Sequence, residues 1–202
     1  MAINRTLIQV ALSRPDVPAQ TRQLGETLLE VNTRHERLID GLLTLASSEQ
    51  DPTARDPLDL AEMAQHAVDQ ATSPSGPRLE ASLRPAPTTG DPVLLERLVQ
   101  NLVHNAVAYN MPDGWVSIAT ATRDDEVELT VTNTGPTVPA YEIPGLFEPF
   151  RRLRDRVGSA NGTGLGLSIV RSVARAHGGE VTAQPRDGGG LQVRVTLPAR
   201  NE

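Results

Sequence analysis

Apolar residues and one histidine recur at alternating intervals of four and three along the first quarter of the chain. These positions are Leu24, Leu28, Val31, His35, Leu38, Leu42 and Leu45. The spacing is a heptad pattern, typical of a helix that packs in a left-handed bundle. A shorter run with the same spacing, Ile3, Leu7 and Val10, precedes a break at residues 15–18, Pro-Asp-Val-Pro. The pattern predicts an antiparallel helical hairpin with a short first arm. Because two unequal helices cannot enclose so long a seam, we expect it to pair with a second chain as a dimeric four-helix bundle.

Beyond residue 50 the pattern changes to short helices and strands. Residues 51–57 contain two prolines and predict a linker, which separates a hairpin over 1–50 from a second domain over 58–200. Apolar spacing there predicts helices over 58–70, 91–109 and 164–177, a short helix near 141–146, and strands near 79–83, 116–120, 127–131, 180–184 and 191–197. Helices grouped against a mixed, mostly antiparallel sheet give an α+β fold class, with an α/β sandwich after the hairpin.

Composition narrows the function classes. The 202 residues are 38% hydrophobic with a formal net charge of −6, which fits a globular protein and argues against nucleic-acid binding. The chain has no cysteine, which excludes disulfides and thiolate metal sites. It also has no lysine, which excludes a P-loop and Schiff-base chemistry. No apolar stretch approaches the roughly 20 residues that span a bilayer, and no signal-peptide pattern is present.

Two asparagines form the first candidate site. Asn101 and Asn105 lie four residues apart in the predicted 91–109 helix, so both side chains leave the same face. Amide oxygens are hard ligands that suit Mg²⁺ when waters and phosphates complete its shell. The alternative is a solvated polar stripe that binds nothing.

A second candidate follows the predicted strand at 127–131. Gly135 permits a ligand to approach the backbone closely, and Asn133 offers an amide to the edge of a ring. Taken alone, the segment is equally an ordinary turn at the end of a strand.

A third candidate is the run of alternating glycines Gly162, Gly164 and Gly166, which leads into the predicted 164–177 helix. Free backbone N–H groups at a helix N-terminus can hold an anion. The spacing GxGxG is not the dinucleotide-binding fingerprint, and the alternative is a flexible glycine hinge.

The order and spacing of these motifs resemble the N, G1, F and G2 boxes of the histidine-kinase ATP-binding domain, whose superfamily includes gyrase B, Hsp90 and MutL. The matching segments are Asn101-Leu-Val-His-Asn105-Ala, Asn133-x-Gly135, Leu146-Phe147-Glu148-Pro149-Phe150 and Gly162-Thr-Gly164-Leu-Gly166-Leu. The resemblance covers residues 91–198. The heptad hairpin before it resembles the dimerisation and phosphotransfer region of a sensor histidine kinase.

The resemblance implies a site for ATP and Mg²⁺. Asn105 would coordinate the metal that bridges the triphosphate, with Asn101 supporting it, and Tyr109 would lie against the adenine ring. The glycines would form the hinge and phosphate cradle of a lid over residues 147–163, which we expect to be mobile until nucleotide binds. Arg152 would neutralise phosphate charge. The residues expected to bind the nucleotide are Asn101, Asn105, Tyr109, Asn133, Gly135, Arg152, Gly162, Thr163, Gly164, Leu165 and Gly166.

The resemblance also favours a kinase over an ATPase. Gyrase-type ATPases carry, at the position of Asn101, a glutamate that activates water, and an asparagine cannot act as a general base. Three departures from the family pattern predict weaker nucleotide binding. Asn133 replaces an aspartate, Thr137 replaces a glycine, and Ala108 stands where relatives have a lysine or arginine.

The family's phosphoacceptor motif, His-Glu-x-x-Thr-Pro-Leu or similar, is absent from the chain. Residues 2–7 resemble the sequence that normally follows it, so we expect no autophosphorylation at the customary position. His35 lies in the predicted seam, where a polar residue that sets the helix register is the simpler interpretation.

The resulting hypothesis is the cytoplasmic catalytic core of a bacterial sensor histidine kinase, with a membrane-anchored parent. It would bind Mg·ATP for phosphoryl transfer to a histidine and then to a response-regulator receiver domain. The alternative is a degenerate module that binds a regulator without catalysis. An anti-sigma-type serine kinase is a further candidate, but such kinases lack a long dimerisation hairpin.

Overall fold

The computed structural model describes residues 2–14, 17–48, 55–151 and 163–200. Two helices, α1 (Ala2–Leu12) and α2 (Ala19–Ser48), form the predicted hairpin. They meet where Gly25 lies against the side chain of Leu12, so closely that a Cβ on Gly25 would be 2.7 Å from the nearest Leu12 methyl carbon. The short first arm covers only part of α2.

Some residues of the predicted α2 seam are exposed, and others pack against the second domain. Leu24, Leu28, Val31 and Leu42 remain exposed along one stripe, which we call the outward stripe. Leu38 and Leu45 instead pack against the core of the second domain. The seam that the sequence pattern assigns to a second chain therefore serves, at these two positions, to join the hairpin to its own domain.

A five-stranded sheet forms the centre of the second domain. Its strands are β2 (Arg78–Leu83), β4 (Trp115–Arg123), β5 (Glu126–Asn133), β6 (Glu180–Pro185) and β7 (Leu191–Pro198). Their order across the sheet is β2-β4-β5-β7-β6. Only the β2–β4 pair in this sheet is parallel. The predicted mixed, mostly antiparallel sheet is confirmed.

Three helices cover one face of this sheet: α3 (Leu60–Ala71), α4 (Pro92–Ala108) and α5 (Gly166–Ala176). On β4, Val116 and Ile118 are fully buried beneath them, because alternate side chains of a strand point to the same face. Burying a leucine or isoleucine side chain stabilises a fold by about 1.5–3 kcal/mol. The largest buried side chains include Leu60, Leu95, Leu98, Leu102, Ile118, Leu129, Leu165 and Leu197.

The start of α4 agrees with its prediction in detail. The carboxylate of Asp91 accepts hydrogen bonds from the backbone N–H groups of Val93 and Leu94, at 2.8 and 3.1 Å. Pro92 occupies the first turn, where its missing N–H leaves no intrahelical bond unmade. This cap fixes the beginning of the helix that carries both asparagines.

A two-stranded antiparallel sheet, β1 (Asp56–Asp59) with β3 (Pro87–Gly90), was not predicted from the sequence. It includes Asp56 and Pro57, which the sequence pattern assigns to the linker. Residues 140–147 form a 3₁₀ helix where a short helix was expected. Within the described part of the chain, no helix is both long enough and apolar enough to cross a membrane.

Candidate functional site

A cavity of about 670 Å³ opens between α4 and the N-terminal end of α5. Its apolar floor includes Val131 of β5 and Val193 of β7, and its rim includes residues of α2. Of the sequence-predicted site residues, those that line the cavity are Asn101, Asn105, Tyr109, Asn133, Thr163, Gly164, Leu165 and Gly166. Motifs separated by up to 65 residues in the chain therefore meet around one space.

Asn101 and Asn105 lie on the cavity side of α4, and both are half-buried. The Nδ2 atom of Asn101 donates to the carbonyl oxygen of Arg97, one turn earlier, at 2.7 Å. This bond leaves Oδ1 of Asn101 as the acceptor that the residue can offer to a ligand. Asn105 lies one turn further along, so the two amides continue along the same wall.

Gly166, the first residue of α5, lies directly against Asn105. A Cβ at Gly166 would be 2.6 Å from Nδ2 and 2.9 Å from Oδ1 of that asparagine. The preceding residue, Leu165, is fully buried and lines the cavity. Glycine is thus required where the helix N-terminus approaches the amide.

The N-terminal side of this glycine segment is held by Phe150. The N–H of Phe150 donates to the carbonyl oxygen of Gly164 at 2.9 Å. Gly164 has φ +74°, and a Cβ there would lie 2.9 Å from the carbonyl carbon of Phe150. Two segments that the sequence analysis treated separately are therefore in backbone contact, and this contact requires a glycine.

Asn133 is buried at the end of β5, with 8% of its surface exposed. Its Nδ2 atom donates to the carbonyl oxygen of Thr134 at 2.7 Å. The Thr134 hydroxyl donates to Oδ1 of Asn110 at 2.6 Å and accepts from the N–H of Trp115 at 2.8 Å. The sequence analysis missed Asn110 and Thr134, because no local pattern indicates that these two residues meet.

Backbone segments approach each other very closely beside Asn133. A Cβ on Gly190 would collide with the carbonyl oxygen of Asn133, and a Cβ on Gly189 with that of Gly135. Both Gly189 and Gly190 have positive φ. A Cβ on Gly135 would in turn lie 2.7 Å from the carbonyl oxygen of Tyr109. These glycines let three chain segments close one end of the cavity.

Tyr109 ends α4 as its C-cap residue, and its N–H donates to the carbonyl oxygen of Asn105 at 3.0 Å. It is half-buried and lines the cavity near the Gly135 segment. Tyr109 therefore lines the same end of the cavity as Asn133.

Two predicted residues, Arg152 and Gly162, lie outside the described residues, as does most of the predicted lid. Two other arginines line the cavity, Arg97 and Arg151. The Arg151 guanidinium donates to the Glu148 carboxylate at 2.6 Å. Arg97 lies 4.0 Å from the Asp40 carboxylate of α2. Each of these two arginines thus lies near a carboxylate that partly neutralises it, and of the two carboxylates only that of Asp40 lines the described part of the cavity.

Helix α2 forms part of the cavity wall through Asp40, Gly41 and Thr44. Gly41 is buried against α5, and a Cβ there would lie 2.9 Å from Cδ1 of Leu165 and 3.3 Å from Cδ1 of Ile169. We call the face formed by Leu38, Gly41 and Leu45 the inward stripe. It places the hairpin at the edge of the candidate site.

The donor chemistry of the cavity restricts what metal it can hold. The described residues contain no group of three or more His, Cys, Asp or Glu side chains arranged to bind a metal ion. The polar atoms offered by Asn101 and Asn105 are neutral amide oxygens. Such a set suits Mg²⁺ only where phosphate oxygens and water supply most of its ligands.

Comparison with known proteins gives a consistent result. Residues 90–201 match the family described as "Histidine kinase-, DNA gyrase B-, and HSP90-like ATPase". The chain is 55% identical over 203 residues to the sensor protein CutS of Streptomyces coelicolor, covering 98% of this chain and 49% of that protein. It is 35% identical over 193 residues to the sensor histidine kinase TrcS of Mycobacterium tuberculosis, covering 91% of this chain and 38% of that protein.

Solved structures show the same fold. The mycobacterial sensor histidine kinase MprB superimposes with a TM-score of 0.65 at 28% identity, over 73% of this chain and 99% of that one. Full-length ShkA in complex with AMPPNP superimposes with a TM-score of 0.77 at 23% identity, over 100% of this chain and 44% of that one. The chain spans about half the length of the Streptomyces relatives that it matches. Because the family match covers more than half of its residues, the chain belongs to the histidine kinase-, DNA gyrase B- and HSP90-like ATPase family, and it carries the catalytic ATP-binding domain of a sensor histidine kinase.

Proposed function

We propose that the cavity between α4 and α5 binds Mg·ATP and presents its γ-phosphoryl group to a histidine, from which a response-regulator receiver domain takes it. The observation that carries this proposal is the convergence of Asn105, Gly166 and Asn133 on one cavity. A nucleotide needs an apolar region for its base and a polar region for its phosphates, and this cavity has both.

The base lies at the end closed by Asn133, Gly135 and Tyr109. Its ring packs on the apolar floor at Val131 and Val193 and against the Tyr109 side chain, and Asn133 takes a hydrogen bond from its edge. These residues are buried or half-buried, so a base placed there is withdrawn from water. Apolar enclosure with a few fixed polar groups is typical of small-molecule sites.

The triphosphate extends towards Asn105 and the start of α5. The residues fit a magnesium ion held with phosphate, because the half-buried Asn105 amide forms no side-chain hydrogen bond with the described residues, and Asn101 keeps its Oδ1 atom. Mg²⁺ would neutralise phosphate charge and align the transferred group. Gly164 and Gly166 keep the adjoining backbone open to the phosphates, and Arg152 and Gly162 complete the predicted set.

The phosphoacceptor is a histidine in a motif that this sequence does not contain. Neither Asn101 nor Asn105 can remove a proton from water, so we expect slow hydrolysis of the bound ATP. Two copies of the chain associate through the outward stripe. In a single copy, Leu24, Leu28 and Val31 of this stripe are exposed. An exposed row of that length is typical of an interaction surface.

The test is calorimetric titration of the chain with Mg·ATP. We expect saturable binding that weakens at least tenfold in Asn105→Ala, since a metal–phosphate contact is lost. The matched control is Gln65→Ala, an exposed polar residue of α3 that does not line the cavity, and it should bind as the parent does. Absence of binding at millimolar Mg·ATP would instead favour a regulator-binding module without catalysis.

A second experiment tests the transfer itself. The chain is mixed with Mg²⁺, γ-labelled ATP and a hairpin polypeptide that carries the family's histidine motif. We expect label on that polypeptide that is lost in acid and kept in alkali, as a phosphohistidine requires. Acid-stable label would point to a serine kinase and contradict the proposal.

A further inference from the structure

The side-chain amide of Asn133 is held in one orientation. Its Nδ2 atom donates to the Thr134 carbonyl oxygen at 2.7 Å. A carbonyl oxygen can only accept, so the nitrogen of the amide, and not its oxygen, must face Thr134. The Oδ1 atom then faces away from the Thr134 carbonyl oxygen and is the acceptor that Asn133 has for a ligand in the cavity that it lines.

Thr134, the residue that supplies this carbonyl group, is itself anchored through its N–H and its hydroxyl. The Thr134 N–H donates to the Trp115 carbonyl oxygen at 3.1 Å, and the Trp115 N–H donates back to the Thr134 hydroxyl at 2.8 Å. The same hydroxyl donates to Oδ1 of Asn110 at 2.6 Å.

Asn110 is anchored in its turn. Its Nδ2 atom donates to the carbonyl oxygens of Ala106 and Trp115, at 3.2 and 3.0 Å. A chain of hydrogen bonds thus runs from the end of α4 through Asn110 and Thr134 to the Asn133 amide, and the Trp115 carbonyl oxygen, 3.1 Å from the Thr134 hydroxyl, is a second acceptor within it.

We infer that Asn110 and Thr134 are positioning residues that hold Asn133 as a hydrogen-bond acceptor, so that the site selects a purine with an amino group at C6 over one with a carbonyl there. This inference rests on the proposed function. The selectivity comes from the neutral Asn133 amide, held in one orientation, and not from a charged carboxylate.

The chemistry of the two bases gives the reason. Adenine has an N6–H₂ group that can donate to Oδ1, whereas hypoxanthine has a carbonyl oxygen at the same place. Two acceptors facing each other in a buried site leave both without a partner, which costs far more than a lost surface contact. A freely turning amide could present Nδ2 to the carbonyl oxygen and bind both bases, but the Thr134 carbonyl group prevents that turn.

The test compares Mg·ATP with Mg·ITP by calorimetric titration. Their bases differ at C6 and at N1, which is an acceptor in adenine and an N–H donor in hypoxanthine, so the variants at residue 133 isolate the contribution of the C6 group. We expect the parent chain to bind ATP about tenfold more tightly than ITP. Asn133→Asp should increase the ratio several-fold, since a charged acceptor makes a stronger hydrogen bond. Asn133→Leu should reduce the ratio to about one.

The positioning residues are tested with a matched pair of variants. Thr134→Val removes the hydroxyl and should lower the ATP-to-ITP ratio towards one, because the turn and the amide are released. Thr134→Ser keeps the hydroxyl and should preserve the parent ratio. A purely structural role would weaken ATP and ITP equally in Thr134→Val and leave the ratio unchanged, which would overturn the positioning role.

The outcomes separate this inference from the function on which it rests. Equal affinity of the parent chain for ATP and ITP overturns the inference and leaves the proposed function intact. Binding of neither nucleotide overturns both. A parent ratio near ten that Asn133→Asp raises and Asn133→Leu abolishes supports the orientation of the amide, whatever the stability of the Thr134 variants.

Discussion

The backbone of Gly166 lies against the side-chain amide of Asn105, with no room between them for a methyl group. One residue begins α5 and the other lies in the last two turns of α4. Their contact sets the distance between the two helices at the mouth of the cavity. The width of the cavity at this point thus depends on the absence of a side chain at Gly166.

Substitution of Gly166 by alanine should reduce nucleotide binding without unfolding the domain. In a helix, alanine is favoured over glycine by up to about 1 kcal/mol. This gain offsets part of the cost of crowding Asn105, so the domain should stay folded. The new methyl group would displace the Asn105 amide, and we expect the dissociation constant for Mg·ATP to rise about tenfold or more. Gly76→Ala is the control, because a Cβ there meets its nearest atom at 3.4 Å; equal affinity in both variants would refute the role of Gly166.

The loop before β7 offers a prediction about stability. Gly188 and Gly190 both have positive φ, but a Cβ on Gly188 has 3.6 Å to its nearest atom while one on Gly190 collides with the Asn133 carbonyl oxygen. We expect Gly188→Ala to lower the free energy of unfolding by about 1–2 kcal/mol, the cost of the backbone conformation alone. Gly190→Ala should cost clearly more. Urea unfolding of the two variants measures the difference, and equal losses would contradict the collision.

His177 joins the far ends of α4 and α5. Its Nδ1 atom lies 2.8 Å from the Val173 carbonyl oxygen, which can only accept, so Nδ1 carries the proton. Its Nε2 atom then accepts from the N–H of Asp91 at 3.0 Å. His177→Ala leaves that N–H without its partner and should lower the free energy of unfolding by about 1–3 kcal/mol.

The control for that variant is His66→Ala. The His66 side chain is 60% exposed, and a surface substitution should change stability by no more than about 0.5 kcal/mol. Thermal or urea unfolding of the pair checks the prediction. Similar effects at the two histidines would show that the link between the helices is energetically unimportant.

Gly41 offers a test of the contact between the hairpin and the domain. Leucine at this position would push α2 away from Leu165 and Ile169, since a Cβ alone already lies 2.9 Å from the first of them. We expect faster hydrogen–deuterium exchange at the start of α5, with protection of the sheet unchanged. Gly25→Leu crowds Leu12 within the hairpin instead, and it should leave exchange in α5 unaltered.

The sequence predicted the parts of this fold that short-range periodicity controls. The capped helix from Asp91, the alternating strands β4 and β5, and the amphipathic α5 all have strong local patterns. The resemblance predicts one site that contains Asn105, Asn133 and Gly166, and all three residues line the cavity. The strand β1 is not predicted from the sequence, because Pro57 within it removes a backbone donor and conceals the strand pattern.

The remaining features depend on contacts between distant segments. Asn110 and Thr134 are 24 residues apart, and nothing in either segment indicates their hydrogen bond. The sequence likewise does not predict which seam residues of α2 pack against the domain and which stay exposed, because Leu38 and Leu42 are both leucines in heptad positions. Only the position of α5 makes one of them part of a domain core and leaves the other exposed.

The two stripes of α2 belong to one uninterrupted helix, so neither can move without the other. Successive side chains are about 100° apart around a helix, and a twist of the hairpin that improves the fit of the outward leucines would carry Gly41 away from Leu165. A rotation of the hairpin far from the cavity would thus move the part of the cavity wall that α2 forms. The hairpin is therefore a rigid element whose contact with the catalytic domain lies at the edge of the cavity.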